Sequence, residues 1–373
     1  MIESWFGGTR AGIPKSRCQR TRMNREVSGA FPAGARPATP DSRSPGGDVS
    51  SGQDIDHRAA SGEKAASDVP GVKSLRVSDL VETFRLLFLL LPSWVVPERY
   101  LKPLSRLLAT LSTGTRCHAE IRAGLGMAFR DSGKPGPKQI ADEVTANQYE
   151  LRLQVLRCYR PAGWCPRIVV QGREHLDRAM ERGRGAVLWV SHFVFHGLIF
   201  EMGMKQRGYE LIHVSRLEHG FSKTKYGIAV LNPVRTFIEN KYLGKRVILN
   251  EQSRLAFARD LLGYLHANEP VSMTVGAWEG KQVMTIPLFG HRYRVATGAI
   301  TAAARAGAPL LPVFPVWEHS EQCFRVAIEP PLPVSGRATK ADMLESASKS
   351  YAGLLEPYIK TYPGQWRGWR YLY

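Results

Sequence analysis

The stretch from Ala186 to Glu201 constrains the fold more than any other part of this chain. Five apolar or small residues, AVLWV at 186–190, run without alternation and are followed by Ser191 and His192. Such a run predicts a strand that is buried on both faces. The segment from Val194 to Gln206 is largely apolar and free of proline, which predicts a helix. His192 is therefore expected in a turn at the C-terminal end of a strand, where α/β sheets bind their ligands.

The chain from Ile168 onward repeats this alternation of short apolar runs with amphipathic segments. We predict further strands and helices at Ile168–Val170, Glu174–Arg182, Glu210–Val214, Leu255–Leu265, Val271–Val275, Ala299–Ala306 and Leu310–Val316. The alternation predicts an α/β fold, a mixed sheet flanked by helices, over residues 161–373.

Two regions of different composition precede this domain. Residues 1–72 are rich in Ser, Gly, Pro, Arg and Asp and predict a disordered arm, because they cannot bury enough apolar surface to offset the entropy of ordering. Residues 73–160 are predicted to be a helical membrane-associating segment. Its longest apolar run, Leu86–Leu91, is far shorter than the roughly 18 residues that cross a bilayer. Leu75–Leu111 suits a helix lying in the membrane interface or, equally, one that packs against the core.

The net charge indicates the kind of partner, and the cysteines indicate the cellular compartment. The formal net charge is +18 and the pI about 9.9, which favours a polyanionic partner. The sequence has no zinc-finger or RNA-recognition signature, so anionic membrane lipids are favoured and nucleic acid is not expected. Five cysteines without a CxxC pair indicate reduced thiols on the cytoplasmic side, with no disulfide scaffold or zinc site.

Four motifs follow one another along the chain: GREHLDRAMERGRGAVL at 172–188, HFVFHG at 192–197, IPLFG at 286–290 and RVATGAITAAARAGAPLLPVFPV at 294–316. In this order they resemble the late acyltransferases of lipid A biosynthesis, the lauroyl and myristoyl transferases of the lysophospholipid acyltransferase superfamily. The resemblance covers the chain from about Leu80 to the C terminus. It implies a glycerolipid acyltransferase-like fold with an N-terminal membrane anchor on the cytoplasmic face of the inner membrane.

The resemblance also implies a reaction. A fatty acyl group moves from an acyl carrier protein or coenzyme A thioester to a hydroxyl of a glycolipid or lysolipid acceptor, and no cofactor is needed. In the family a histidine is followed, after four residues, by an aspartate or glutamate. His192 matches this histidine, but the acidic position falls on Gly197. The alternative function is therefore an inactive relative that acts as a lipid-binding or accessory protein.

Several residues are candidates for the missing acid. His196 and Glu201 repeat the motif spacing, but residues five apart on a helix point in directions well over 90° apart. His192 is therefore the preferred general base, and His196 with Glu201 is the shifted alternative. The partner that orients the His192 ring is expected to be Glu201, a backbone carbonyl, or Glu279 in the GAWEG segment.

Candidates for substrate binding lie further along the chain. Arg216 matches a family arginine on the loop after a core strand, where it would hold an anionic group or form a surface salt bridge. Thr297 and Gly298 resemble the threonine and glycine that open the family's next helix. Arg292 lies in a basic turn that suits the phosphates of a carrier arm or a lipid headgroup, or only adds surface charge.

The C-terminal tail combines aromatic and cationic residues. Trp366, Trp369 and Tyr371 lie beside Arg367 and Arg370. This composition is typical of a membrane interface, because the rings have an apolar body and a polar tip. The tail is therefore predicted to contact the membrane.

Overall fold

The structure is a computed structural model that describes residues 73–112, 115–128, 136–249, 253–276, 283–334 and 339–373. The predicted disordered arm, residues 1–72, lies outside these ranges, as does Glu279.

Seven strands of the described residues form one sheet, and two more form a separate hairpin. The strands are β1 Ile168–Gln171, β2 Ala186–Val190, β3 Ile212–Ser215, β4 Lys245–Ile248, β5 Pro270–Thr274, β6 Val283–Leu288, β7 His291–Ala296, β8 Leu310–Glu318 and β9 Cys323–Ile328. The order in the sheet is β1-β9-β8-β2-β5-β3-β4. Strands β8, β2, β5, β3 and β4 are parallel, and β9 with β1 runs in the opposite direction. The predicted α/β class with a mixed sheet is therefore confirmed.

Helices cover both faces of this sheet. Those of the described residues are α1 Val77–Val95, α2 Glu98–Thr110, α3 Arg116–Ala128, α4 Pro137–Arg157, α5 Arg173–Glu181, α6 His196–Gln206, α7 Asn232–Asn240, α8 Arg254–His266, α9 Gly298–Ala306 and α10 Lys340–Thr361. Trp189 of β2 packs in a cluster with α9 and α10, whereas Leu188 packs with α6 on the other face. Strand β2 is thus buried on both sides, as its unbroken apolar run predicts.

The structure also differs from the predicted elements at several points. Helix α6 begins at His196, two residues later than predicted. Helix α1 continues beyond the apolar run Leu86–Leu91, through Pro92 to Val95. The motif IPLFG at 286–290 forms the end of β6 followed by a tight turn, in which Phe289 and Gly290 have φ angles of 54° and 72°. Two consecutive positive φ angles suit the tight turn of a β-hairpin.

Helix α1 packs against the protein with a mixed side, which includes the buried leucines Leu86 and Leu89. Asp79 and Glu82 are buried, although both are acidic. Thr224 Oγ1 donates a hydrogen bond of 2.9 Å to Asp79, and Arg152 Nε of α4 lies 2.8 Å from a Glu82 oxygen. The outward side of α1 carries the exposed apolar residues Leu80, Val81, Phe84, Leu87, Phe88, Leu91 and Val95. Among the described helices, none is long and apolar enough to span a bilayer.

The C-terminal tail belongs to the core, which corrects its predicted place at the membrane. Trp366 and Trp369 are fully buried, with their rings 4.8 Å apart and nearly perpendicular. Trp366 forms a β-bridge with Phe193, directly after the candidate base, and Trp369 donates its indole N–H to the Pro363 oxygen at 2.9 Å. The aromatic residues of the tail therefore pack in the core, because a tryptophan side chain buries a large apolar surface and has a single N–H group that needs a hydrogen-bond partner.

Replacing Trp369 with alanine is expected to lower the free energy of unfolding by about 3–5 kcal/mol, because a large core side chain leaves a cavity. Trp94→Ala is the matched control, since Trp94 is 44% exposed and keeps only a 3.2 Å hydrogen bond to the Leu156 oxygen. Its expected loss is about 1 kcal/mol. Denaturant unfolding of both variants measures the difference, and equal losses would show that the tail is not part of the core.

Candidate active site

His192 lies at the C-terminal end of β2, in the turn that leads to α6. Backbone hydrogen bonds with the C-terminal tail hold this turn in place. Arg367 N donates a 3.1 Å hydrogen bond to the His192 oxygen, and Val194 N donates one of 2.8 Å to the Gln365 oxygen. Backbone bonds on both sides therefore hold His192 in a defined position at the sheet edge where ligands bind.

The His196 ring stands beside the His192 ring. The ring centroids are 4.9 Å apart and the ring planes nearly perpendicular. His196 Nδ1 lies 2.6 Å from the Phe193 carbonyl oxygen. A carbonyl oxygen only accepts hydrogen bonds, so Nδ1 must carry the proton and Nε2 of the neutral ring is an acceptor. The two motif histidines, His192 and His196, thus lie together at the end of β2.

Both rings are held in the neutral form. Burial lowers the pKa of His192 well below its ordinary value, and the charges of Arg367 and Arg235 lower it further. Burial and the same two arginines lower the pKa of His196. A protonated ring would face positive charge at this edge, whereas a neutral ring is ready to accept a proton.

Glu201 is buried on α6, where its surroundings disfavour the charged form of its carboxyl. Burial raises the pKa of its carboxyl well above the ordinary value, and the charge of Glu239 raises it further. Its Oε2 has no hydrogen-bond partner among the described residues. A carboxylate that stabilises an imidazolium must be ionised. The surroundings of Glu201 therefore do not suit it to that role.

Side chains of α7 occupy the space that an acidic side chain at position 197 would need. A Cβ atom on Gly197 would lie 3.2 Å from Arg235 Nη2 and 3.2 Å from Glu239 Oε1 of α7. Both distances are tighter than ordinary van der Waals contact. An ion pair from another helix thus occupies the space beside Gly197, which explains why a glycine fits at the position where the motif has an acid.

Glu239 is the centre of a buried ionic cluster. Its carboxylate accepts hydrogen bonds from Arg235 Nε at 2.7 Å, Arg246 Nη2 at 2.9 Å and His219 Nε2 at 2.9 Å. Burial alone would raise the pKa of this carboxyl, but these cations and the His219 hydrogen bond hold it well below the ordinary range. Glu239 is therefore ionised, whereas the surroundings of Glu201 disfavour its charged form.

Sequence reasoning missed this cluster, although one signal is present. Arg235 and Glu239 lie four residues apart, the spacing of an ion pair on a helix, and Asn232 and Pro233 precede them as a helix start. Such a pair is usually solvated, and only the packing of α7 against α6 makes it part of the site.

The remaining predicted residues are distributed over three elements. Arg216 directly follows β3, at the same sheet edge as His192. Thr297 is buried before α9, and a Cβ on Gly298 would lie 3.6 Å from the Met273 side chain of β5. Arg292 is exposed on β7, where its backbone exchanges two hydrogen bonds with Tyr373. Within the described ranges, no group of His, Cys, Asp or Glu side chains is arranged to hold a metal ion.

Comparison with known proteins agrees with this geometry. A family model described as bacterial lipid A biosynthesis acyltransferase matches residues 72–369. The match therefore includes the N-terminal helices, the whole sheet and the buried tail. A search of curated proteins gave no match.

Proposed function

The chain belongs to the bacterial lipid A biosynthesis acyltransferase family and is an acyltransferase; we propose that it moves a fatty acyl group from a thioester to a lipid hydroxyl, with His192 as the general base. The observation that carries this proposal is the position of His192, a neutral imidazole held at the C-terminal end of β2 beside two arginines.

The reaction needs few chemical groups. His192 takes the proton of the acceptor hydroxyl, and the oxygen attacks the carbonyl carbon of the thioester. The tetrahedral intermediate carries a negative oxygen, for which Arg235 and Arg367 provide positive charge at the same edge. The C–S bond then breaks, the electron pair stays on sulfur, and the thiolate takes up a proton. The products are an ester and a free thiol.

The donor is an acyl carrier protein or coenzyme A thioester, and the acceptor is a glycolipid or lysolipid. Both donors carry phosphate on the arm that holds the acyl group. Arg216 follows β3 at the same edge as His192, and we assign it to this phosphate. Thr297 and Gly298 at the start of α9 contribute to the wall of the site beside β5, and Arg292 binds headgroup phosphate from the exposed hairpin.

Helix α1 supports contact with a membrane, and we propose that this membrane surface is the cytoplasmic face of the inner membrane. The two acidic residues on the inward side of α1, Asp79 and Glu82, are paired with Thr224 and Arg152, and its exposed side is largely apolar. A soluble surface rarely exposes so many adjacent apolar side chains without a partner. We propose that this side lies in the membrane interface, where the net charge of +18 adds attraction to anionic lipids.

Replacing Leu87 and Leu91 together with serine is expected to weaken binding to anionic vesicles at least about tenfold. Each buried leucine contributes about 1.5–3 kcal/mol, and these two are 62% and 70% exposed on α1. Leu255→Ser is the matched control, because Leu255 is 89% exposed on α8. Vesicle sedimentation measures the partition. Equal binding of the double variant and the control would mean that α1 does not contact the bilayer.

The activity itself is tested with purified protein on vesicles that contain glycolipid or lysolipid acceptors. Acyl carrier protein and coenzyme A thioesters of several chain lengths are added, and mass spectrometry detects the acylated acceptor. The expected result is an ester product together with one released thiol for each acyl group. Thiol release without any ester would point to hydrolysis and contradict the proposed acyl transfer.

A further inference from the structure

The histidines at this sheet edge stand in two different electrostatic environments. His192 and His196 face Arg235 and Arg367, which oppose a positive charge on either ring. His219 instead has its Nε2 2.9 Å from a carboxylate oxygen of Glu239. On balance the pKa of His219 is lowered, chiefly by burial and also by the charges of Arg235 and Arg246, while the charge of Glu239 and the hydrogen bond to it act in the opposite direction. The protonated form of His219 therefore has a carboxylate partner in Glu239.

His219 lies at the same edge of the sheet as His192. It belongs to the loop after β3, where its backbone N donates a 3.1 Å hydrogen bond to the Arg216 oxygen. Strands β2 and β3 are both neighbours of β5, so their ends are about 10 Å apart, at about 4.8 Å per strand. The loops that carry His192 and His219 therefore begin close together at this edge of the sheet.

The His219 side chain is also accessible. It is 22% exposed, whereas the Glu239 side chain behind it is 1% exposed. Glu239 engages Nε2, so Nδ1 is the ring atom that can meet a substrate. Because the carboxylate only accepts hydrogen bonds, it fixes the orientation of the ring and keeps a proton on Nε2.

We propose that His219 is the general acid of this enzyme, that it protonates the leaving thiolate, and that Glu239 is its positioning residue. This inference rests on the proposed acyl transfer. The hydroxyl proton goes to His192 as the new C–O bond forms. The C–S bond breaks with its electrons on sulfur, and sulfur takes the proton from Nδ1 of protonated His219. His192 then loses a proton to solvent and His219 gains one.

Glu239 also places a carboxylate beside position 197, where the family motif has its acid. Oε1 of Glu239 lies 3.2 Å from the place where a Cβ on Gly197 would stand, so the ionised carboxylate of this site comes from α7. Its histidine partner comes from the β3 loop. The acidic side chain that the motif lacks at position 197 is thus present in space, joined to a second imidazole.

The test compares two donors that differ only in the leaving group. One is an acyl coenzyme A, and the other is the matching aryl thioester, whose thiolate is stable without a proton. His219→Gln is expected to lower kcat by about 10² with the coenzyme A donor, and by less than about tenfold with the aryl donor. His192→Ala is expected to lose activity with both donors, because the acceptor hydroxyl still needs a base.

Two further variants separate catalysis from support of the structure. The double variant His219→Gln with Glu239→Gln should be no slower than the slower single variant, because the two residues act as one unit. His213→Gln is the matched control, since His213 is buried beside His219 with its ring 6.2 Å away and Nδ1 2.9 Å from Ser272 Oγ. Its effect should not depend on the donor.

The outcomes distinguish the two proposals. Equal losses for His219→Gln with both donors, or no loss with either, would overturn the general acid. The general acid can be tested even if Glu239→Gln fails to fold, because the partly exposed His219 can be replaced alone. Full activity of His192→Ala would instead overturn the general base in the proposed function, whatever His219 does.

Discussion

Replacing His192 with alanine is expected to lower kcat by about 10²–10⁴, the usual contribution of a general base. The ring lies at the end of β2, held by the 3.1 Å backbone bond from Arg367 N to the His192 oxygen. Because that bond involves only the backbone, the alanine variant keeps it. Steady-state rates at saturating acceptor measure the loss, and circular dichroism and vesicle binding should match those of the wild type.

His196→Ala serves as the matched comparison. The two rings are 4.9 Å apart and both are held neutral, but Nδ1 of His196 is occupied by the Phe193 oxygen at 2.6 Å. We expect a loss of less than about tenfold, well below the range of a general base. If His196→Ala abolishes transfer while His192→Ala retains it, the chemistry belongs to the shifted pair of His196 and Glu201.

The substitution Gly197→Glu, which would complete the family motif, is expected to destabilise the protein and lower its activity. The new Cβ would lie 3.2 Å from both Arg235 Nη2 and Glu239 Oε1, so neighbouring side chains must move. Overpacking of this kind costs about 1–3 kcal/mol. A second carboxylate next to the ionised Glu239 adds repulsion in a buried site. Thermal or denaturant unfolding measures the loss.

The double variant Gly197→Glu with Glu239→Ala is the control for this explanation. In this variant the carboxylate near Arg235 comes from position 197 instead of position 239, so the site still holds one carboxylate and not two. Much of the stability that Gly197→Glu alone loses should therefore return. Glu239→Ala alone should cost about 3–5 kcal/mol, because it leaves Arg235 and Arg246 buried without their shared carboxylate. A Gly197→Glu protein that is as stable as the wild type and more active would refute this reading of the site.

The strand that carries His192 was predictable because its signal is local. An unbroken apolar run needs burial on both faces, and in the structure β2 pairs with β5 and β8 over the predicted residues. Helix α9 is similar, since it covers the predicted Ala299–Ala306 and ends at Gly307, which adopts a left-handed φ of 65°.

The acid of the site was not predictable, because it depends on tertiary packing. Glu239 is distant from the motif in the sequence, and an arginine and a glutamate four residues apart usually mark a solvated helix face. The tail posed a different problem. Aromatic and cationic residues in a row are common to membrane interfaces and to cores, and only the 0% and 1% exposures of Trp369 and Trp366 decide between them.

The most direct measurement is single-turnover transfer by the wild type, His192→Ala and His196→Ala on acceptor-containing vesicles. Mass spectrometry follows the loss of the thioester and the gain of the ester in the same sample. We expect equal amounts of thiol and ester from the wild type, a rate about 10²–10⁴ lower for His192→Ala, and a loss of less than about tenfold for His196→Ala. Transfer at the wild-type rate by His192→Ala would contradict this expectation.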